Sequence, residues 1–208
     1  MGKSTKNNEE NFESQQEPDL LEGSGFKRQS SHGDECDDYL ENENNDFEGV
    51  GLCDQLPRPW GNSTKWRAAG SLRTLFQQVN SLAAGRNKIK DGTIGDLAHQ
   101  QRSSDHNPWV LDKDSRMGIV TAVDITHDPA NGCDCNILAK SLQENKDKRI
   151  KYVIWNKQIM SSTVSPWTWR PYTGANPHNK HLHISVGCER SVCDLNDNWK
   201  IKISGSNV

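Results

Sequence analysis

The sequence predicts a small α+β domain: a mostly antiparallel sheet with flanking helices, preceded by an acidic tail. Three observations carry this expectation. Residues 63–84 place their apolar side chains at helical spacing. Three short runs rich in β-branched residues, GIVTAVDI (118–125), IKYVIW (150–155) and HLHISV (181–186), read as strands. Turn-forming residues separate these runs, which favours strand-to-strand antiparallel pairing over repeated βαβ units.

Charge divides the chain. Residues 1–55 hold 15 Asp and Glu against 4 Lys and Arg, and residues 56–208 hold the remaining 13 acidic and 21 basic side chains. A net −11 segment thus precedes a net +8 domain, a split hidden in the overall −3. The chain of 208 residues is only 32% apolar, with a mean hydropathy of −0.88. The first 55 residues cannot bury enough apolar surface to offset their ordering entropy and are expected to be disordered. The folded domain is expected over 56–208. No apolar run approaches the roughly 20 residues of a membrane-spanning helix. The N-terminal MGKSTKNNEENFESQQEPDL has no apolar core of a secretory signal, and Lys6 occupies the position where myristoylation needs Ser or Thr.

Along the domain, Pro57 and Pro59 punctuate the start. Ser63 or Thr64 can cap a helix reaching about Ala84, with Trp66, Ala69, Leu72, Leu75, Phe76, Val79 and Leu82 on its stripe and Gly85 as its stop. Residues 86–117 have turn chemistry without periodicity, which marks a functional loop or disorder. A buried strand follows at Gly118–Ile125, then a short helix at Cys135–Asn145. Ile150–Trp155 and a run KQIM are expected to form a hairpin turning at Asn156-Lys157. A Trp- and Pro-rich loop, Ser165–Lys180, leads to the strand His181–Val186, and Trp199–Ile203 reads as an added edge strand. The six cysteines (36, 53, 133, 135, 188 and 193) include no C-x-x-C pair and are expected to be free structural thiols, with one bridge between the C-terminal regions as the alternative.

The residues capable of chemistry gather late in the chain. In a strand, His181, His183 and Ser185 share one face while Leu182, Ile184 and Val186 share the other. Two imidazoles about 6.5–7 Å apart on the open face suit one ligand and one neighbouring acid or base. Asp124 sits in an otherwise apolar strand, where a carboxylate needs a cation, a metal or several hydrogen bonds. His106, in SSDHNPW, is walled by Pro108 and Trp109. Two histidines and a carboxylate make a catalytic rather than a structural zinc set, because a fourth position stays open. Each also has a plain reading: a surface loop histidine, a turn-capping aspartate, hydrogen-bonded strand histidines. Spacing alone does not decide between them.

The pieces SSDH, AVDITHD and HLHIS, in that order, resemble the zinc peptidases that include D-alanyl-D-alanine carboxypeptidases, L-alanyl-D-glutamate endopeptidases and penicillin-insensitive murein endopeptidases, whose fold the Hedgehog signalling domain shares. The stretch from about Gly92 to Val186 is most similar to an M15-like bacterial and phage group. The resemblance implies that His106, Asp124 and His183 bind zinc, that Ser104 orients the site, and that His181 acts beside the metal. His106 and Asp124 stand 18 positions apart, wider than the family's usual interval, so a loop at 107–118 is inserted. Where many relatives carry an acid three before the last histidine, this chain has Lys180, which moves the general-base role to His181.

The implied reaction is metal-assisted hydrolysis of an amide in peptidoglycan stem peptides, as in an endolysin or wall hydrolase. Arg102, then Arg170, are candidates to stabilise charge on the carbonyl oxygen. His127 is a rival ligand, with support of Asp124 as the preferred role. Trp167 and Trp169 suit either a substrate wall or loop packing, and His178 reads as a loop residue. The basic domain suits an anionic wall. No nucleic-acid-binding motif is present, and a monomer is expected. Without a secretory signal, the protein is expected to stay cytoplasmic until released by lysis, or to reach the wall by another route. The alternative function is a zinc-containing binding module of the same fold without catalysis.

Overall fold

The computed structural model describes residues 22–24, 65–95 and 103–205. Its strands are β1 (Glu22–Ser24), β2 (Lys65–Ala68), β3 (Val110–Leu111), β4 (Gly118–Val120), β5 (Ala122–Thr126), β6 (Ile150–Trp155), β7 (Gln158–Ser161), β8 (Arg170–Pro171) and β9 (His181–Val186). Its α-helices are α1 (Gly70–Leu82), α2 (Cys135–Asn145) and α3 (Arg190–Cys193). The domain is α+β. One sheet, in the order β5-β9-β6-β7-β8, is antiparallel throughout; the other, β1-β2-β4-β3, contains one parallel pair, β2 with β4.

The expected strand 118–125 is two strands in different sheets. Its break is at Thr121, whose N–H goes to Asp105 O and whose carbonyl accepts from Val186, while its hydroxyl accepts from Trp109 Nε1 at 3.1 Å. Hydropathy alone does not show this switch, because both halves are equally buried.

The expected first helix is also divided. Lys65–Ala68 is strand, so Trp66 is buried from β2 rather than from a helix. The helix starts at Gly70, whose N–H is capped by Asp194 Oδ1 at 3.0 Å, a partner 124 positions away. Ser63 and Thr64 lie outside the described residues. The helix ends at Leu82, which is 57% exposed rather than on the buried stripe. Gly85 lies three residues beyond and does not take the left-handed conformation of a helix stop.

Other elements follow the expected chemistry. Asp134 caps α2 by accepting from Asn136 N at 2.8 Å, and Lys146 closes it in the left-handed region. Asn156 and Lys157 both have positive φ, 47° and 62°, as a two-residue hairpin turn requires. Trp199–Ile203 does not add a strand. Its backbone instead bonds to side chains and to the start of α2: Lys200 O accepts from Asn145, Lys202 N donates to Ser141 Oγ, and Ile203 O accepts from Asp134 N. Within the stretch expected to be tail, Glu22–Ser24 pairs antiparallel with β2. Cys133, Cys135 and Cys193 are buried free thiols, as expected; Cys188 is disulfide-bonded.

Strand alternation decides where the site lies. Val123 and Ile125 of β5, Val153 of β6, and Leu182, Ile184 and Val186 of β9 face α1 and α2, packing with Leu72, Leu75, Val79, Leu138 and Leu142. The opposite face carries Asp124, His181, His183 and a small cluster of Tyr152, Ile154, Ile159 and Tyr172. No helix among the described residues is long and apolar enough to cross a membrane.

Candidate metal centre

Three polar side chains converge on the second face. Asp124 of β5 stands opposite His183 of β9 in the antiparallel register, which brings their side chains to one side. His106 arrives from the loop before β3. Ser104 shapes that approach by accepting from the His106 backbone N–H at 3.3 Å, a local turn at the position where the sequence suggested an orienting serine. The contact atoms form a near-regular triangle: His106 Nε2 to His183 Nδ1 is 3.1 Å, His183 Nδ1 to Asp124 Oδ1 is 3.1 Å, and His106 Nε2 to Asp124 Oδ1 is 3.4 Å. Tetrahedral coordination at roughly 2.0–2.1 Å places neighbouring ligand atoms about 3.3–3.4 Å apart. These buried residues could hold a metal ion.

The surrounding hydrogen bonds determine which nitrogens face inward. His106 Nδ1–H donates to Thr93 O at 2.7 Å, since a carbonyl only accepts, and Nε2 is left deprotonated toward the triangle. Ser185 bonds the Asp105 carboxylate and lies 3.0 Å from His183 Nε2. With the hydroxyl proton on Asp105, Ser185 Oγ accepts from His183 Nε2–H, and His183 Nδ1 is the deprotonated atom. Lys151 Nζ completes this chain at 3.0 Å from Asp105. Burial works to raise the Asp105 carboxyl, but the Lys151 ammonium and the Lys151 and Ser185 hydrogen bonds hold it below the usual range. Two imidazole lone pairs and a carboxylate oxygen packed this closely repel one another unless a cation sits among them. Burial likewise opposes ionisation of Asp124, and positive charge beside it, carried by His106 and His181 when they are protonated in place of a bound cation, holds it well below the usual carboxylate range.

His181 lies beside the triangle, its Nε2 3.9 Å from the other Asp124 oxygen. His178, read from sequence as a loop residue, belongs to the same cluster. Its ring stands edge-on to His181 and His183 at centroid distances of 5.0 and 5.6 Å. Its Nδ1–H donates to Asn176 O at 2.9 Å, and among the described residues its buried Nε2 has no hydrogen-bond partner. Burial pushes its pKa down to about 3, so it stays neutral. Tyr152 stacks on His183 at 5.4 Å, which with the Ser185 bond fixes that ring.

The remaining candidates fall elsewhere. His127 neither ligates nor supports Asp124. It follows β5 on the opposite side, where Nδ1 accepts from the Cys135 N–H at 3.1 Å at the start of α2 and the ring packs on Trp155. Trp167 and Trp169 pack against the core beside α2, with Trp169 Nε1 donating to Gln143 Oε1 at 3.1 Å and Trp167 O accepting from Gln143 at 2.9 Å; this is loop packing. Arg170 ends the cross-sheet row His183–Ile154–Ile159–Arg170, three strand spacings or about 14 Å from His183, too far for a group acting at the triangle. Arg102 lies outside the described residues. Asp105, Lys151 and Thr93 were missed because their roles depend on contacts between distant segments; only Ser185 was foreshadowed, by its place on the histidine face.

No family model, curated protein or solved structure matches this chain.

Proposed function

We propose that the chain is a zinc-dependent peptidase of the D-Ala-D-Ala carboxypeptidase and Hedgehog-domain fold, hydrolysing an amide in peptidoglycan stem peptides. The observation that carries this reading is the triangle of His106 Nε2, Asp124 Oδ1 and His183 Nδ1, with sides of 3.1 to 3.4 Å and second nitrogens held by Thr93 and Ser185. Two neutral imidazoles and one carboxylate suit zinc with an open position better than a hard, oxygen-preferring ion. The order of SSDH, AVDITHD and HLHIS supports the peptidase assignment, and the net +8 of residues 56–208 favours an anionic wall.

Zinc bound there supplies Lewis-acid polarisation of a carbonyl and activation of water near neutral pH. His181, at the edge of the triangle, takes the proton of the attacking water at a ring nitrogen and returns it to the leaving amine. Asp124 holds the developing imidazolium through its second oxygen. His178 and Tyr152 keep the His181 and His183 rings in place.

Mass spectrometry of soluble fragments from purified peptidoglycan, with and without a zinc chelator, tests this reading. Chelator-sensitive release of cleaved stem peptides is the expected result and identifies the bond. Stoichiometric zinc with no fragment from several wall types would overturn the enzyme and leave a binding module.

A further inference from the structure

Residues 86–93 run from beyond α1 alongside β5, and two consecutive residues of this strap hold two of the three ligands. Gly92 and Asp124 exchange backbone hydrogen bonds, with Asp124 N donating to Gly92 O at 2.7 Å and Gly92 N to Asp124 O at 3.3 Å. Thr93 O then receives His106 Nδ1–H at 2.7 Å. The position of this short segment therefore sets both the backbone of one ligand and the tautomer and rotation of another.

The residue immediately before them, Asp91, is its anchor. Its Oδ1 accepts from Thr126 N and Thr126 Oγ1, each at 2.8 Å, at the end of β5. Arg86 grips the same carboxylate with both terminal nitrogens, Nη1 reaching Oδ1 at 2.8 Å and Nη2 reaching Oδ2. Arg86 is tied back to α1 by Asn80 Oδ1, which accepts from Nη2 at 2.8 Å and from Nε at 3.1 Å. The guanidinium also lies over the Phe76 ring, 5.5 Å from its centroid. Both charged side chains are 0% exposed. A buried ion pair is seldom a net source of stability against apolar residues of equal volume; its directional bonds instead define one geometry. Here those bonds join α1, β5 and the strap.

We propose that the Arg86–Asp91 ion pair is a positioning device for the metal centre, fixing the strap so that Gly92 sets Asp124 and the Thr93 carbonyl sets His106. The inference rests on the metal-binding reading above. Loss of the pair releases the strap, lets His106 adopt its other tautomer, and weakens metal binding while the core facing α2 stays intact.

The test uses the full chain and zinc alone, with affinity measured by competition against a chromogenic chelator. Asp91→Asn and Arg86→Gln are expected to bind zinc about 10–100-fold more weakly than wild type, the usual effect of removing an outer support of a ligand. Arg86→Lys is expected to recover part of that loss. Leu142→Ala, which destabilises the core on the opposite sheet face, is expected to keep wild-type affinity despite a lower Tm. Long-range 1H–15N NMR is expected to show His106 as one tautomer in wild type and as a mixture in Asp91→Asn. Should the buried substitutions fail to fold, Asn80→Ala loosens Arg86 without touching the pair, and is expected to shift the tautomer and lower affinity to a smaller degree. Wild-type affinity and tautomer in the folded variants would overturn the positioning role alone, as would an equal loss in Leu142→Ala. A wild-type chain that binds no zinc would overturn the metal-centre reading with it.

Discussion

Asp124 and His183 face each other across β5 and β9, with Oδ1 and Nδ1 3.1 Å apart. Fifty-nine positions separate them in the chain, and the antiparallel register brings them together. His106 closes the triangle from a loop whose course depends on Ser104 and on the Thr93 carbonyl.

Replacing a corner of this triangle should remove the metal. Asp124→Asn and His183→Ala are expected to lose stoichiometric zinc under conditions where wild type retains it, read by elemental analysis after gel filtration. Asn keeps the size of the side chain but not the charge that offsets the cation. Full zinc occupancy in both variants would eliminate this ligand set.

His181→Ala separates proton transfer from metal binding. Because His181 Nε2 approaches Asp124 Oδ2 at 3.9 Å but lies outside the triangle, the variant is expected to keep zinc. Turnover should fall by about 10²–10⁴-fold, the range for a lost general acid–base group. Loss of zinc in this variant would instead make His181 a ligand.

Chelation should lower the melting temperature. A ligand bound only by the folded chain, present at 100 times its Kd, stabilises by about 2.7 kcal/mol, or about 5–10 °C for a domain of this size. Differential scanning calorimetry with zinc and with chelator reads this shift, and coincident transitions would count against a bound ion.

Acid stability should depend on Arg67. Its guanidinium reaches Asp194 Oδ2 at 2.7 Å and Asp112 Oδ2 at 3.1 Å, and its own pKa is raised further by the Asp194 bond. Burial works to raise both carboxyls, but hydrogen bonds from Ser115 and Arg67 at Asp112, and from Arg67 and Gly70 at Asp194, hold them below their usual value. A depressed folded pKa contributes stability above the unfolded value, near 3.9, and loses it as pH falls through the folded value. Urea midpoints of wild type should therefore drop between about pH 5 and 2. Arg67→Met should be less stable at neutral pH and show a shallower acid limb; an unchanged slope would exclude this cluster as a source of acid sensitivity.

In the core facing the helices, Leu142→Ala is expected to cost about 2–5 kcal/mol in urea unfolding, because Leu142 is 1% exposed between α2 and the sheet. A loss under 1 kcal/mol would mean that the site collapses around the smaller side chain.

Local periodicity and turn chemistry encode several elements directly. The helix Cys135–Asn145 and the strands Ile150–Trp155 and His181–Val186 have the expected bounds, and Asn156-Lys157 turns the hairpin as expected. The alternation of HLHISV is enough to put His181, His183 and Ser185 on one face. Other features depend on partners far apart in the chain. Trp66 lies in a strand and α1 starts at Gly70 because β2 pairs with β4 and Asp194 caps the helix from far away. Gly118–Thr126 divides at Thr121 because its two halves find edges in different sheets. His127, three positions after Asp124, falls on the opposite side by strand alternation and accepts there from the Cys135 N–H at the start of α2. The tautomers of His106 and His183 depend on Thr93 and Ser185, and the strap on Arg86 and Asp91. Local patterning specifies which residues share a face, whereas the direction of a lone pair is set by hydrogen bonds between segments that only the folded chain brings together.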